Sequence, residues 1–143
     1  MAGMDTIQSL IDKALDQCTI AIVGLSPRIN RPSNEVARYL REVGYRIIPV
    51  NPLEKEILGE KSYSALEEIS EPIGVVNIFK RPSEVNSVVK SAIRVGAKCV
   101  LMQEGIVNEE AAKTAVSEGL IVIMDRCIKK EHEARTRQSK SGI

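Results

Sequence analysis

Three times in this 143-residue chain a helix-patterned segment stops at a glycine and an apolar strand begins at once: Val43-Gly44-Tyr45, Val95-Gly96-Ala97 and Glu118-Gly119-Leu120. Joints this short, between helices and strands that alternate, are the mark of parallel strands linked by helical crossovers. Near-continuous apolar runs at 19–23, 45–50, 74–79, 98–102 and 120–124 suit strands covered on both faces. Helical spacing recurs at 4–17, from a Ser33 N-cap to Val43, from a Ser83 N-cap to Val95, and from Asn108 to Glu118. Ser64-x-x-Glu67 reads as a capping box opening a short helix near 64–69, and 51–63 reads as loop. The expected fold is α/β: a single domain with a Rossmann-like, doubly wound, parallel five-stranded sheet and right-handed crossovers.

Beyond Asp125 the chain turns polar, with six Lys or Arg against two Glu. This predicts a short helix that frays into a flexible tail, so residues 1–132 form the domain and 133–143 a basic tail. His132 lies in that polar segment and reads as a surface residue.

Aromatic residues make up only 3%, so the core must be aliphatic and the single Phe79 stands out. The net charge of +1 gives no bulk reason to expect nucleic acid or a membrane surface as partner. No apolar run approaches the roughly 20 residues of a spanning helix, and the N-terminus lacks a basic region followed by an apolar one. Cys18, Cys99 and Cys127 show neither CxxC nor Cys/His ligand spacing, which argues against zinc and for reduced thiols in a cytoplasmic protein. No nucleophile–base pair can be assigned from spacing, so no catalytic residue is expected.

In an open parallel sheet, ligands bind beyond the carboxyl ends of the strands, near the switch in strand order. After the first strand that edge carries Gly24, Leu25, Ser26, Arg28, Arg31 and Ser33. After the second come Val50, Asn51, Pro52 and Lys55, and after the third Phe79, Lys80, Arg81 and Pro82. Gln103 follows the fourth strand, and Arg126 and Cys127 the fifth. Basic residues on each of the first three loops suggest a ligand with more than one phosphate. Gly24-Leu25-Ser26 departs from the dinucleotide fingerprint, because Ser26 stands where a second glycine would let backbone approach a pyrophosphate. The acid that would hold a ribose diol at the end of the second strand is replaced by Asn51-Pro52, which disfavours NAD. Gly24 either opens a phosphate loop or merely makes a tight turn. Phe79, beside Lys80-Arg81, could flank an adenine or a pantetheine arm.

Several segments together resemble a known family. They are Ile22-Val23-Gly24-Leu25-Ser26-Pro27, Arg31-Pro32-Ser33, Gly44-Tyr45-Arg46-Ile47-Ile48-Pro49-Val50-Asn51-Pro52, Phe79-Lys80-Arg81-Pro82, Met102-Gln103-Glu104-Gly105-Ile106 and Met124-Asp125-Arg126-Cys127. The chain resembles the small stand-alone CoA-binding proteins over roughly residues 8–132. These are similar to the CoA-binding domain of succinyl-CoA synthetase α subunits and ADP-forming acyl-CoA synthetases. The resemblance implies that Gly24, Ser26 and Arg28 hold a pyrophosphate. It implies further that Val50, Asn51 and Pro52 border adenosine, and that Phe79, Arg81 and Pro82 line the rest of the groove. The family's aromatic-Arg-Arg run is Phe79-Lys80-Arg81 here, which keeps the charge but not a bidentate fork at the first basic position.

The expected function is binding of coenzyme A or acyl-CoA without catalysis of its own, as a homo-oligomer or beside a partner synthetase subunit. Two alternatives stay open: the CoA-binding part of an acyl-CoA synthetase or acyltransferase system, and an NAD-responsive regulator. Cys127, on the ligand edge, could form a mixed disulfide with the CoA thiol.

Overall fold

The computed structural model describes residues 6–141. The chain runs α1 (Ile7–Leu15), β1 (Thr19–Val23), α2 (Pro32–Glu42), β2 (Arg46–Val50), β3 (Glu56–Ile57), β4 (Glu60–Lys61), β5 (Val75–Ile78), α3 (Val85–Arg94), β6 (Cys99–Met102), α4 (Glu109–Ser117), β7 (Ile121–Ile123) and α5 (Ile128–Ser141). The five long strands form one parallel sheet in the order β2-β1-β5-β6-β7. The order reverses at β1/β5, the topological switch point, so the loops that leave β1 and β5 open away from each other and leave a crevice between them. The expected doubly wound α/β fold is therefore the observed one.

The alternation of side chains along each strand divides the core in two. Ile20, Ile22, Val75, Cys99, Leu101 and Ile123 pack under α1, α2 and α5. Ala21, Val23, Val76, Ile78, Val100 and Met102 pack under α3 and α4. The fully buried apolar side chains of these layers are aliphatic or sulfur-bearing, as the scarcity of aromatics requires; Tyr39, Tyr45, Tyr63 and Phe79 pack at their margins, and Asn77 is buried within β5.

Local details differ from the sequence-based expectation. Pro32 begins α2 with Arg31 at its N-cap, and Ser33 lies inside the helix. Pro is pre-set for the first helical position, so the N-cap moves two residues upstream, from Ser33 to Arg31. Likewise Pro82–Glu84 forms a 3₁₀ turn ahead of α3, and Ser83 caps nothing. Asn108 does cap α4, its Oδ1 accepting from the Ala111 N–H at 3.0 Å. The expected loop at 51–63 contains the β3–β4 hairpin, turned by Leu58 and Gly59, both at positive φ. Ser64 donates through both its N–H and its hydroxyl to Glu68, not Glu67, and the element that follows is one 3₁₀ turn, Leu66–Glu68.

The C-terminal helix is also longer than expected: α5 is continuous through Ser141, across the proposed 132/133 boundary. Arg135 anchors it, donating to Asp16 Oδ1 at 2.8 Å. Residues 4–5 of the expected first helix and 142–143 of the expected tail lie outside the described residues.

Candidate functional site

Three loops at the carboxyl edge are held together by side chains from the start of α2, by Asn51 just after β2 and by a close approach at Gly24. The Ser26 N–H donates to Ser33 Oγ at 2.9 Å, and Asn34 Nδ2 donates to the Ser26 carbonyl at 2.9 Å. Arg38 extends the chain of contacts from Asn34 Oδ1 to the Ile29 carbonyl, at 2.8 and 2.9 Å. The loop after β1 thus folds back on the first turns of α2. Ser33 and Asn34 are buried because they satisfy that loop's backbone, not because they are apolar. Arg31 makes no side-chain cap and Pro32 has no N–H; the Asn34 and Glu35 N–H groups donate to the Arg31 carbonyl, so of the first turn of α2 only the Ser33 amide has no backbone acceptor among the described residues.

Asn51 joins the second loop to the first. Its Nδ2 donates to the Leu25 carbonyl at 2.9 Å and its Oδ1 accepts from the Leu53 N–H at 2.9 Å. Gly24 fixes the third. At φ +87° it passes so close to the loop after β5 that an added Cβ would stand 2.2 Å from the Phe79 carbonyl oxygen. Asn108 then ties that loop to the one after β6, donating from Nδ2 to the Pro82 carbonyl at 2.9 Å. Asp125 Oδ1 accepts from the Gly105 N–H at 2.7 Å and draws in the loop after β7.

Three adjoining cavities open along this edge. The largest, about 660 Å³, is walled by Pro32, Phe79, Lys80, Arg81, Gln103 and Ile106, with Glu84 and Glu104 at its rim. Lys80 is shared with a second cavity of about 220 Å³, between the ends of β1 and β2 and the start of α3, where Val23, Val50, Pro52, Leu66 and Val88 give apolar walls. On the other side Pro32, Gln103 and Glu104 are shared with a third, of about 180 Å³, which reaches Cys127 at the start of α5. No carboxylate among the described residues is paired with Arg28, Arg31, Lys55, Lys80 or Arg81. By contrast Lys129 and Lys130, beside the third cavity, are held by Glu35 at 2.8 Å and Glu104 at 3.0 Å. Those bonds raise both ammonium groups above the usual lysine value. Gln103 is 7% exposed, and its Oε1 has no hydrogen-bond donor among the described residues.

The family model for the CoA binding domain matches residues 18–133. The chain belongs to the CoA-binding domain family. The "Uncharacterized protein YneT" of Bacillus subtilis (strain 168) is 44% identical over 113 residues, 79% of this chain and 84% of that protein. A hypothetical protein from Pyrococcus horikoshii OT3 is 37% identical, with a TM-score of 0.86 over 94% of this chain and 98% of that one. The dinucleotide-forming acetyl-coenzyme A synthetase 1 of Ca. Korarchaeum cryptofilum shares the fold at 23% identity, with a TM-score of 0.68 over 78% of this chain and 26% of that one.

Within this CoA-binding domain, Phe79, Lys80, Arg81 and Gln103 line the largest cavity, and Val50, Pro52 and Lys80 the second. Arg28, Arg31 and Lys55 stand exposed on the flanking loops. Leu25 is fully buried in the core, so only its backbone borders the loop, and Pro82 is an exposed turn residue held by Asn108. Pro32, Glu84, Glu104 and Ile106 were not named as site residues from sequence, although Pro32, Glu104 and Ile106 lie in segments that carry the family resemblance; Glu84 had only its position after Arg81-Pro82. His132 is not the surface residue expected: it packs edge-on against Tyr39 and Tyr45, and the Tyr39 hydroxyl lies 2.6 Å from its Nδ1. Cys18, expected to pack before β1, is exposed.

Proposed function

We propose that this CoA-binding domain holds coenzyme A or acyl-CoA across its carboxyl edge, without catalysis of its own. The observation that carries the reading is the run of adjoining cavities at the switch point, bordered by cations that form no ion pair with a carboxylate among the described residues. A phosphorylated ligand supplies the missing counter-charge. In this reading the pyrophosphate lies by Ser26, Arg28, Arg31 and the N-terminus of α2, where the helix dipole favours an anion. Adenosine takes the apolar cavity of Val50 and Pro52, with Asn51 fixing the wall and Lys55 near the 3′-phosphate. The pantetheine arm follows Phe79, Lys80, Arg81 and Gln103.

Calorimetric titration with CoA, dephospho-CoA and NAD tests this. CoA should bind best and NAD worst, because Asn51 spends its amide on Leu25 and Leu53 and offers no carboxylate to a ribose diol. NAD binding as tightly as CoA overturns the proposal. Arg28→Ala and Arg81→Ala should each weaken CoA binding by about 1.5–3 kcal/mol, the worth of a charge-assisted hydrogen bond. Unchanged affinity in both removes the phosphate assignment.

A second reading makes the chain one part of an acyl-CoA synthetase system, and the fold shared with an acetyl-coenzyme A synthetase favours it. Co-purification with a nucleotide-binding subunit, and acyl-CoA formation by the pair, would decide for that reading.

A further inference from the structure

The second cavity carries a polar feature that its apolar walls do not account for. Three serines line it: Ser64, ahead of the Leu66–Glu68 turn, and Ser87 and Ser91 on α3. Ser87 and Ser91 are four residues apart, so they stand one above the other on the same helix face. The partner of each hydroxyl fixes where its proton points. Ser64 Oγ donates to Glu68 Oε1 at 2.7 Å, and Ser87 Oγ donates to the Glu84 carbonyl at 3.0 Å. The Ser91 hydroxyl bonds the Glu67 carboxylate, which also holds Arg94 at 2.9 Å. The Ser64 hydroxyl lowers the Glu68 carboxyl, and a backbone N–H and then Arg94 lower that of Glu67, so both are ionised at neutral pH. A carboxylate or a carbonyl can only accept, so each serine has given away its one proton. What each serine oxygen keeps is lone-pair capacity. Lys80 is the one lining side chain with N–H groups to give. The lining is therefore rich in acceptors and apolar surface and poor in donors.

We infer that Ser64, Ser87 and Ser91 read the base of the bound nucleotide, accepting N–H bonds from an exocyclic amino group and so selecting a 6-amino purine over a 6-oxo purine. This rests on the CoA-binding reading above, which lays adenosine in this cavity. The adenine amino group offers two N–H bonds on one nitrogen, enough for two of the three oxygens. A 6-oxo purine carries an acceptor at the same place and keeps only a ring N–H beside it. Its oxygen meets serine oxygens whose protons are committed elsewhere. Turning the Ser64 or Ser91 hydroxyl towards it breaks a bond to a carboxylate, and such a charge-assisted bond is worth more than the neutral one that replaces it. The apolar walls at Val23, Val50 and Val88 contact either ring alike, so the hydroxyls decide between them.

The test is calorimetric titration of the full chain with CoA and with deamino-CoA, in which a 6-oxo purine replaces adenine and the rest of the molecule is the same. CoA should bind at least about tenfold tighter, the worth of two ordinary hydrogen bonds. Combining Ser87→Ala with Ser91→Ala should narrow that ratio to less than about threefold, by weakening CoA and leaving deamino-CoA nearly unchanged. Alanine favours a helix, so α3 keeps its fold, and far-UV circular dichroism checks this. Ser64→Ala should narrow the ratio in the same sense. A merely structural role for the serines weakens both ligands alike and leaves the ratio where it was. Equal binding of the two by the native chain, or a ratio unchanged in every serine variant, overturns this inference alone. Failure of CoA to bind the native chain overturns the CoA-binding reading and this inference with it.

Discussion

At Gly24 a single hydrogen decides the geometry of the site. The residue follows β1, its N–H donates to the Val50 carbonyl at 2.9 Å, and it passes against the Phe79 carbonyl. A methyl group there meets backbone, which cannot rotate aside, and the positive φ adds its own strain. Gly24 therefore serves first to let two loops approach, and only through that to shape the loop after β1. Gly24→Ala should cost about 2–4 kcal/mol of stability in urea denaturation and push the Phe79–Arg81 loop outward. An unchanged denaturation midpoint would refute the close approach. Asn51 teaches the same lesson with a polar group. Its side-chain amide is spent at both ends on backbone, so it acts by fixing the walls.

At the scale of elements, α5 is the piece that the polar composition of its sequence misrepresents. It docks on α1 and α2 through Tyr39, Tyr45, His132 and Arg135. The Tyr45 hydroxyl donates to the Leu15 carbonyl at 2.5 Å, and Lys129 lies over the Tyr39 ring at 5.6 Å while bonded to Glu35. Burial, with Arg135 assisting and Glu133 opposing, lowers His132 below the ordinary histidine value of 6.5. The unfolded chain then binds the proton more readily than the native one. Stability from this contact is complete above about pH 6.5 and is lost as pH falls towards the lowered native value. His132 is the only histidine, and Glu35, lowered by Lys129, Glu67, lowered first by a backbone N–H and then by Arg94, and Glu71, lowered by Arg46, lose their contributions only at more acid pH. The thermal midpoint should fall between pH 7.5 and 5.5 in the native chain and stay flat over that window in His132→Gln. Parallel pH profiles would exclude His132 as the cause.

At the scale of the molecule, the site belongs to no one segment. Its walls come from the ends of β1, β2, β5 and β6 and the starts of α2, α3 and α5, brought to one edge by parallel strand order. A ligand spanning those loops must stabilise the whole fold by mass action. Coenzyme A at a hundredfold excess over its dissociation constant should add about 2.7 kcal/mol, a thermal shift on the order of 10 °C for a domain this size. NAD at the same concentration should shift it far less. Equal shifts would mean that the edge does not discriminate the two.

The strands and the α/β class were legible because a buried parallel strand is apolar along its whole length and a helix repeats every 3.6 residues. The edge residues Arg28, Lys80, Arg81 and Gln103 were legible because strand order assigns loops to edges before any contact is known. The β3–β4 hairpin was not, since two-residue strands carry no period. Nor was the environment of His132, which depends on tyrosines almost ninety and more positions away. Ser33 illustrates the division: its place near the first loop could be read, but its role in accepting the Ser26 N–H depends on a loop that folds back. Sequence alone determined which residues reach the carboxyl edge, since local periodicity and the parallel crossover rule suffice for that. Only the tertiary structure decided which of them line a cavity and which are spent holding backbone. Those outcomes rest on distances between segments far apart in the chain, which no local pattern encodes.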